Sequence, residues 1–284
     1  MISLFRKAVL QVAKRDFPIS LLAKSYNSIS MNYGEYFQQR MLETYEDVFS
    51  WYDYYSRNDI KVLDLGCGNG FFGNLLIQKN PQIKYTGIEL SSGLLSGRHK
   101  YFSNKLNSSF IEGDYVEKIK SFPEQSFDCV VSLWSQKFNN PVDFFPQVFR
   151  ILKKGGFFVL LTEQKNSDSE FMECVDSFLQ KRSAQFTVLP PLPYLPETGK
   201  ELNNLLASSN FEKTIVWEKN QKLLLSSPLE FIEQGRYSGL LAGWDQIVDF
   251  YYYDFRDEIL PEIKSKKEFT ITKKYIGAIA RKGT

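Results

Sequence analysis

From residue 60 the chain alternates short, continuous apolar runs with longer segments whose apolar positions recur at helical spacing. The runs are IKVLDLG (60–66), IKYTGIEL (83–90), SSFIEGD (108–114), FDCVVSLW (127–134) and FFVLLTE (157–163). A run that is apolar on both faces suits a parallel strand covered by helices on both sides. Between the runs, FFGNLLIQKN (71–80), SSGLLSGRHKYFSNK (91–105) and VDFFPQVFRILKKGG (142–156) predict helices. The first is closed by Asn80 and Pro81, and the last ends at a glycine pair. After Glu163 the rhythm changes. LPPLPYLPETG (189–199) excludes a continuous helix or a central strand there. ELNNLLASSNFEKTIVWE (201–218) restores a helix and a strand, residues 219–267 read as helical and aromatic-rich, and EFTITKKYIGAIARK (268–282) supplies a last strand.

This pattern predicts a single α/β domain over residues 1–284, with a doubly wound sheet of seven strands and a helical cap. Its core is about 60–163, 198–218 and 268–284; the extra segments are 1–59, 164–197 and 219–267. In such a sheet the ligand crevice opens at the carboxyl ends of the strands, where the strand order reverses. The extra segments are available to roof it.

Composition narrows the class. A chain of 284 residues, 43% hydrophobic and 24% charged, can bury a substantial core within one domain. The net charge of +2 comes from scattered lysines and arginines, so no basic footprint for nucleic acid stands out. Cys67, Cys129 and Cys174 lie in no metal-ligand spacing, which fits a reducing, cytoplasmic setting without disulfides, and no metal site is expected. No apolar run approaches the roughly 20 residues of a membrane span. The N-terminal MISLFRKAVLQVAKR reads as a basic amphipathic helix whose Arg6 and Lys7 interrupt any signal-peptide core. Packing on the body of the domain is its expected role; contact with a membrane surface through residues 1–16 is the alternative.

The chemistry concentrates in VLDLGCGNGFFGN (62–74). A dinucleotide turn needs its third glycine three positions after the second, for close packing beside the pyrophosphate. Here Gly66 and Gly68 are followed by Gly70, and position 71 is Phe. A bulky side chain at that position argues against NAD and FAD, and favours a ligand with no phosphate to seat on the helix. A nucleoside still carries ribose hydroxyls, and Glu89, ending the second strand, is placed to accept from both. Asp114, after the third strand, can accept from an adenine amine. Each of these carboxylates also suits an ordinary helix cap or turn.

These stretches resemble class I S-adenosylmethionine-dependent methyltransferases of the small-molecule subgroup. VLDLGCGNG is similar to the family's glycine-rich loop, GIEL to its ribose-binding loop, EGDY to its adenine-binding turn, and FDCVVSLW and ILKKGGFFVLLTE to its fourth- and fifth-strand motifs. The resemblance implies a Rossmann-like sheet, mostly parallel with an antiparallel last strand. It implies S-adenosylmethionine as cofactor and S-adenosylhomocysteine as product. Asp64 and Gly66 would face the methionine amino group, with Cys67, Gly68 and Gly70 completing the loop. Glu89 would bind ribose, Leu90 would pack on adenine, and Asp114 with the Tyr115 backbone would read its edge. Ser132 and Trp134 would border the sulfonium and the substrate.

A methyl sulfonium is already activated, so the protein has mainly to orient the acceptor and exclude water. The single histidine, His99, falls on a helix away from the predicted crevice and is expected to face solvent, so no catalytic base is assigned. That favours a carboxylate, an already nucleophilic carbon or amine, or a tyrosine or acidic residue acting as base. Aromatic residues crowd YNSISMNYGEYF, FSWYDYY, GRYSGLLAGW and DFYYYDF, either as packing or as a pocket for an apolar or ring-bearing substrate. AKSYNSISMNYGEYF resembles the lid of small-molecule methyltransferases, which makes Tyr26 and Tyr33 candidates for the cofactor. Arg236, beside Tyr237, could neutralise an acidic substrate. The Asp/Asn-Pro-Pro-aromatic tetrad of nucleic-acid amino-methyltransferases is missing after the fourth strand, where LWSQKFNNPV stands. The expected function is methyl transfer to a small molecule. The alternatives are a peripheral-membrane lipid or quinone methyltransferase, a non-catalytic cofactor-binding protein and, last, a nicotinamide oxidoreductase.

Overall fold

The computed structural model describes residues 17–49, 59–102, 107–182, 193–248, 255–264 and 268–284. The proposed N-terminal helix, most of FSWYDYY and most of DFYYYDF lie outside them. The chain divides into two compact units. Of the described residues, the larger takes those within 41–165, 193–219 and 274–284, and the smaller those within 17–40, 166–182 and 220–273.

Among the described residues seven strands form one sheet: β1 (Lys61–Leu65), β2 (Lys84–Glu89), β3 (Ser108–Glu112), β4 (Phe127–Leu133), β5 (Leu152–Glu163), β6 (Glu212–Leu225) and β7 (Phe269–Arg281). Their order is β3-β2-β1-β4-β5-β7-β6. The pairs β1–β2, β1–β4, β2–β3 and β4–β5 are parallel, and β7 runs antiparallel to β5. This is the mixed, doubly wound sheet expected from the sequence. β1 is buried along Val62–Leu65, which its apolar run allows with one exception, Asp64. Leu63, Leu65, Val130, Phe158 and Leu160 form the fully buried centre of the core. From β1 the chain winds outward through β2 and β3, then returns to the other side of β1 with β4 and β5. The crevice of such a sheet lies between the carboxyl ends of β1 and β4.

Three local readings are corrected. The helix expected over 91–105 is broken into Ser92–Ser96 and His99–Phe102. The break falls where Gly97 passes the glycine turn, so that a Cβ there would lie 3.1 Å from Asn69 Cβ. The helix expected to run to the glycine pair stops at Ile151, and β5 already begins at Leu152. Gly155 has a φ of +71°, and a Cβ on Gly156 would meet two backbone oxygens at 2.9 Å, so the pair shapes an irregular strand entry. Residues 219–225, read as helical, continue β6.

The smaller unit contains the helices Ile19–Ile29, Ser169–Gln180, Pro228–Tyr237 and Phe255–Lys264, with a π-turn at Gly34–Gln38. Phe171 is fully buried there against Phe231 and Phe255. A Cβ on Gly235 would sit 2.0 Å from the Phe171 ring, so the helix needs glycine at that contact. Lys273 and Asp168, both almost completely buried, form an ion pair at 3.2 Å. No helix among the described residues is long and apolar enough to cross a membrane.

Candidate functional site

The turn after β1 is built from three left-handed glycines, with φ of 75° at Gly66, 58° at Gly68 and 79° at Gly70. Backbone amides tie it to β2: Gly66 and Cys67 both donate to Ile88 O, at 2.9 and 3.0 Å. Gly66 also has no room for a side chain, because a Cβ would lie 2.3 Å from Ser135 Cβ. Ser135 follows β4, and its hydroxyl donates to Leu65 O at 2.5 Å. With its only proton committed, it accepts from Ser132 Oγ at 2.9 Å. The two strand ends that frame the crevice are thus joined directly.

Glu89, 6% exposed, ends β2 with both carboxylate oxygens engaged by backbone amides. Gly68 N donates to one at 2.9 Å and Ser91 N to the other at 2.8 Å. Burial raises its pKa, and these amides pull it back down. The Leu90 amide adds a third donor, and since a carboxylate has about four lone-pair sites, capacity remains for a ligand's hydroxyl. Asp64, 3% exposed, accepts from the Tyr85 phenol at 2.7 Å. Burial pushes its pKa up to about 7; the Tyr85 hydrogen bond opposes the shift and the charge of Glu89 adds to it.

Asp114 caps the helix Tyr115–Lys120, its Oδ1 accepting from Val116 N at 2.9 Å. That use occupies one oxygen and leaves Oδ2 for another donor. Leu90 is half-buried beside Glu89. The Tyr115 side chain turns inward: its hydroxyl donates to Ser135 O at 2.9 Å and accepts from Asn139 Nδ2. Trp134 closes β4 with a φ of 67°, its buried ring edge-on to Tyr275. Lys137, on the turn that follows, pairs with Glu163 at the end of β5 at 2.7 Å, both largely buried.

The larger unit therefore gathers Asp64, Gly66, Cys67, Gly68, Gly70, Glu89, Leu90, Asp114, Tyr115, Ser132 and Trp134 around the carboxyl ends of its strands. Tyr26, Tyr33, Arg236 and Tyr237 belong to the smaller unit. There Tyr33 packs edge-on against Tyr26 and stacks on Phe37, and Arg236 lies over the Tyr237 ring at 5.0 Å. Arg236 also lines a small pocket with Ser25, Ser28 and Asp245. His99 is exposed, as its sequence position suggested. Sequence reasoning missed Tyr85 and Ser135, which act through contacts 21 and 70 residues away along the chain.

A family model described as a methyltransferase domain matches residues 56–210. A malonyl-acyl-carrier-protein O-methyltransferase of Paenibacillus sp. (strain JDR-2) is 26% identical over 176 residues, covering 61% of this chain and 62% of that protein. A fatty-acid O-methyltransferase of Mycolicibacterium smegmatis is 32% identical over 101 residues, 35% of each chain. The chain thus spans less than two thirds of the length of these relatives. Among solved structures, a phosphoethanolamine N-methyltransferase of Haemonchus contortus in complex with S-adenosylhomocysteine shares the fold with a TM-score of 0.52 and 15% identity, covering 84% of this chain and 53% of that one.

Proposed function

Because the chain belongs to the methyltransferase-domain family, we propose that it uses S-adenosylmethionine to methylate a small acceptor bearing a carboxylate, giving a methyl ester and S-adenosylhomocysteine. The observation that carries the cofactor assignment is Glu89: its carboxylate is fixed by Gly68 N and Ser91 N beside a turn of three left-handed glycines. That cradle fits a nucleoside with two vicinal hydroxyls, and Phe71 stands where a pyrophosphate site requires a small residue. The cofactor supplies the activated methyl group when bound. In this reading Asp64 and Gly66 hold its amino end, Glu89 its ribose, and Leu90, Asp114 and the Tyr115 backbone its adenine. Ser132 and Trp134 border the reacting end.

Chemistry and the relatives' names support the carboxylate acceptor. An ionised carboxylate presents a lone pair at neutral pH and needs no proton removed. His99, the sole histidine, is exposed on a helix. Two relatives are named O-methyltransferases, one acting on a fatty acid and one on a malonyl carrier. Orientation of such an acceptor can be worth roughly 7–11 kcal/mol of barrier, so the chain's task is placement and exclusion of water.

Calorimetric titration with S-adenosylhomocysteine, followed by turnover against a panel of free fatty acids and malonyl thioesters, tests both halves. Binding that is lost in Glu89→Ala, together with methyl-ester formation, is the expected result. Failure to bind removes the cofactor assignment. Binding without ester from any carboxylate removes the acceptor.

A further inference from the structure

The buried partner of Asp64 is a phenol rather than a cation. Tyr85, fully buried on β2, donates to Asp64 Oδ2 at 2.7 Å. Among the described residues, the other titratable groups facing Asp64 are Glu89 at the end of β2, Cys67 in the glycine turn and Tyr45 on the helix Leu42–Phe49. All are neutral or acidic, so Tyr85 is the group that favours the charged form of the carboxylate.

Tyr85 owes its place to Gly73. A Cβ on residue 73 would lie 2.3 Å from the Tyr85 ring carbon Cζ and 2.7 Å from its hydroxyl oxygen. Glycine inside a helix costs roughly 1 kcal/mol relative to alanine, and here it opens a slot in the helix Phe71–Lys79 for this ring. Phe102 stacks on the ring and Phe110 packs beside it, each with centroids at 5.7 Å. Phenylalanine would fill the slot except for the space of the hydroxyl. That hydroxyl is bonded to Asp64 and also contacts the Cys67 thiol.

We propose that Tyr85 is a positioning residue for the cofactor's amino end: its phenol fixes one Asp64 oxygen and sustains the carboxylate as the partner of the cofactor's ammonium. This rests on the reading of Asp64 as the amino-group contact. The physical reason is that hydrogen bonding to an ionised form stabilises it, while burial without compensation favours the neutral acid. Burial already raises the Asp64 pKa to about 7 with the phenol opposing it. Without the phenol, burial would push the carboxyl further toward the neutral acid, the weaker partner for an ammonium.

The test is calorimetric titration of S-adenosylhomocysteine into the wild type, Tyr85→Phe and Asp64→Asn from about pH 6 to about pH 8.5, with thermal melts to show that each variant is folded. A charge-assisted hydrogen bond is worth about tenfold or more in an equilibrium. Tyr85→Phe is therefore expected to bind roughly tenfold more weakly at neutral pH and to recover much of that loss at the alkaline end. Asp64→Asn should bind weakly with a flat profile, and adding Tyr85→Phe should leave that profile flat. Parallel curves for the wild type and Tyr85→Phe, whatever their offset, would overturn the role of Tyr85 while leaving the site intact. Undiminished binding by Asp64→Asn would overturn the underlying site reading instead.

Discussion

Trp134 meets Tyr275 edge-on, with ring centroids 5.5 Å apart, at the point where β4 ends in a left-handed backbone turn. A bulky residue at positive φ costs about 1–2 kcal/mol, so the surroundings must hold it there. Trp134 N donates to Leu161 O at 2.8 Å, and the Tyr275 hydroxyl donates to Asp47 at 3.0 Å. Tyr275→Phe should cost about 1 kcal/mol by removing that bond. Tyr275→Ala should cost about 3 kcal/mol or more by removing the ring that supports Trp134. Urea denaturation separates the two, and an alanine variant as mild as the phenylalanine one would show that the ring supports nothing.

Gly66 is required twice over, by its φ of 75° and by Ser135 lying where a Cβ would go. Gly66→Ala should therefore destabilise by about 2 kcal/mol or more and weaken S-adenosylhomocysteine binding. The two causes can be divided. Ser135→Gly removes the collision but not the left-handed strain, and it also removes the bond to Leu65 O, so the comparison is made within that background: Gly66→Ala should cost less in Ser135→Gly than in the wild type, but still cost something. An equal cost in both backgrounds would mean that the strain alone matters.

The strands of the sheet were readable from the sequence because its centre is buried on both faces, which leaves continuous runs such as VVSL in β4. The glycine turn was readable because positive φ selects one residue type at fixed spacing. β6 beyond Glu218 was not: it lies at one end of the sheet order, and its polar Lys219, Asn220, Gln221 and Lys222 carry no strand signal. The break at Gly97 and the early start of β5 depend on close approaches to Asn69 and to backbone oxygens, which no local pattern encodes. Asp64 and Glu89 could be picked out as carboxylates ending strands. Tyr85 and Ser135 could not, because each acquires its role from a residue that only the folded sheet brings near.

Asp114 has two readings that one substitution separates. Its side chain caps the helix Tyr115–Lys120, and it is the proposed contact for the adenine amine. Serine is as good a helix cap as aspartate, yet it is shorter and uncharged. Asp114→Ser should keep stability within about 0.5 kcal/mol and reduce S-adenosylhomocysteine affinity, whereas Asp114→Ala should lose about 1 kcal/mol of stability as well. Melting curves and calorimetry on the pair check this. Full affinity in Asp114→Ser would reduce the residue to a cap.

Asp64 also makes stability depend on pH in a definite direction. Its pKa is about 7 in the folded chain against an ordinary 3.8, chiefly through burial. The folded state therefore holds a proton that the unfolded chain has released, so the contribution is fully present below about pH 4 and is lost as pH rises through about 7. Glu89, also raised by burial, acts with the same sign. A shift of this size corresponds to at most about 4 kcal/mol. Asp64→Asn removes the ionisable group while retaining an acceptor for Tyr85. Denaturant unfolding without ligand at about pH 5 and about pH 8 should show that the wild type loses more stability on going alkaline than Asp64→Asn does. Saturating S-adenosylhomocysteine should shrink that difference, because an ammonium beside Asp64 favours the ionised form. Equal pH slopes in the two proteins would show that Asp64 is already charged in the folded chain across this range.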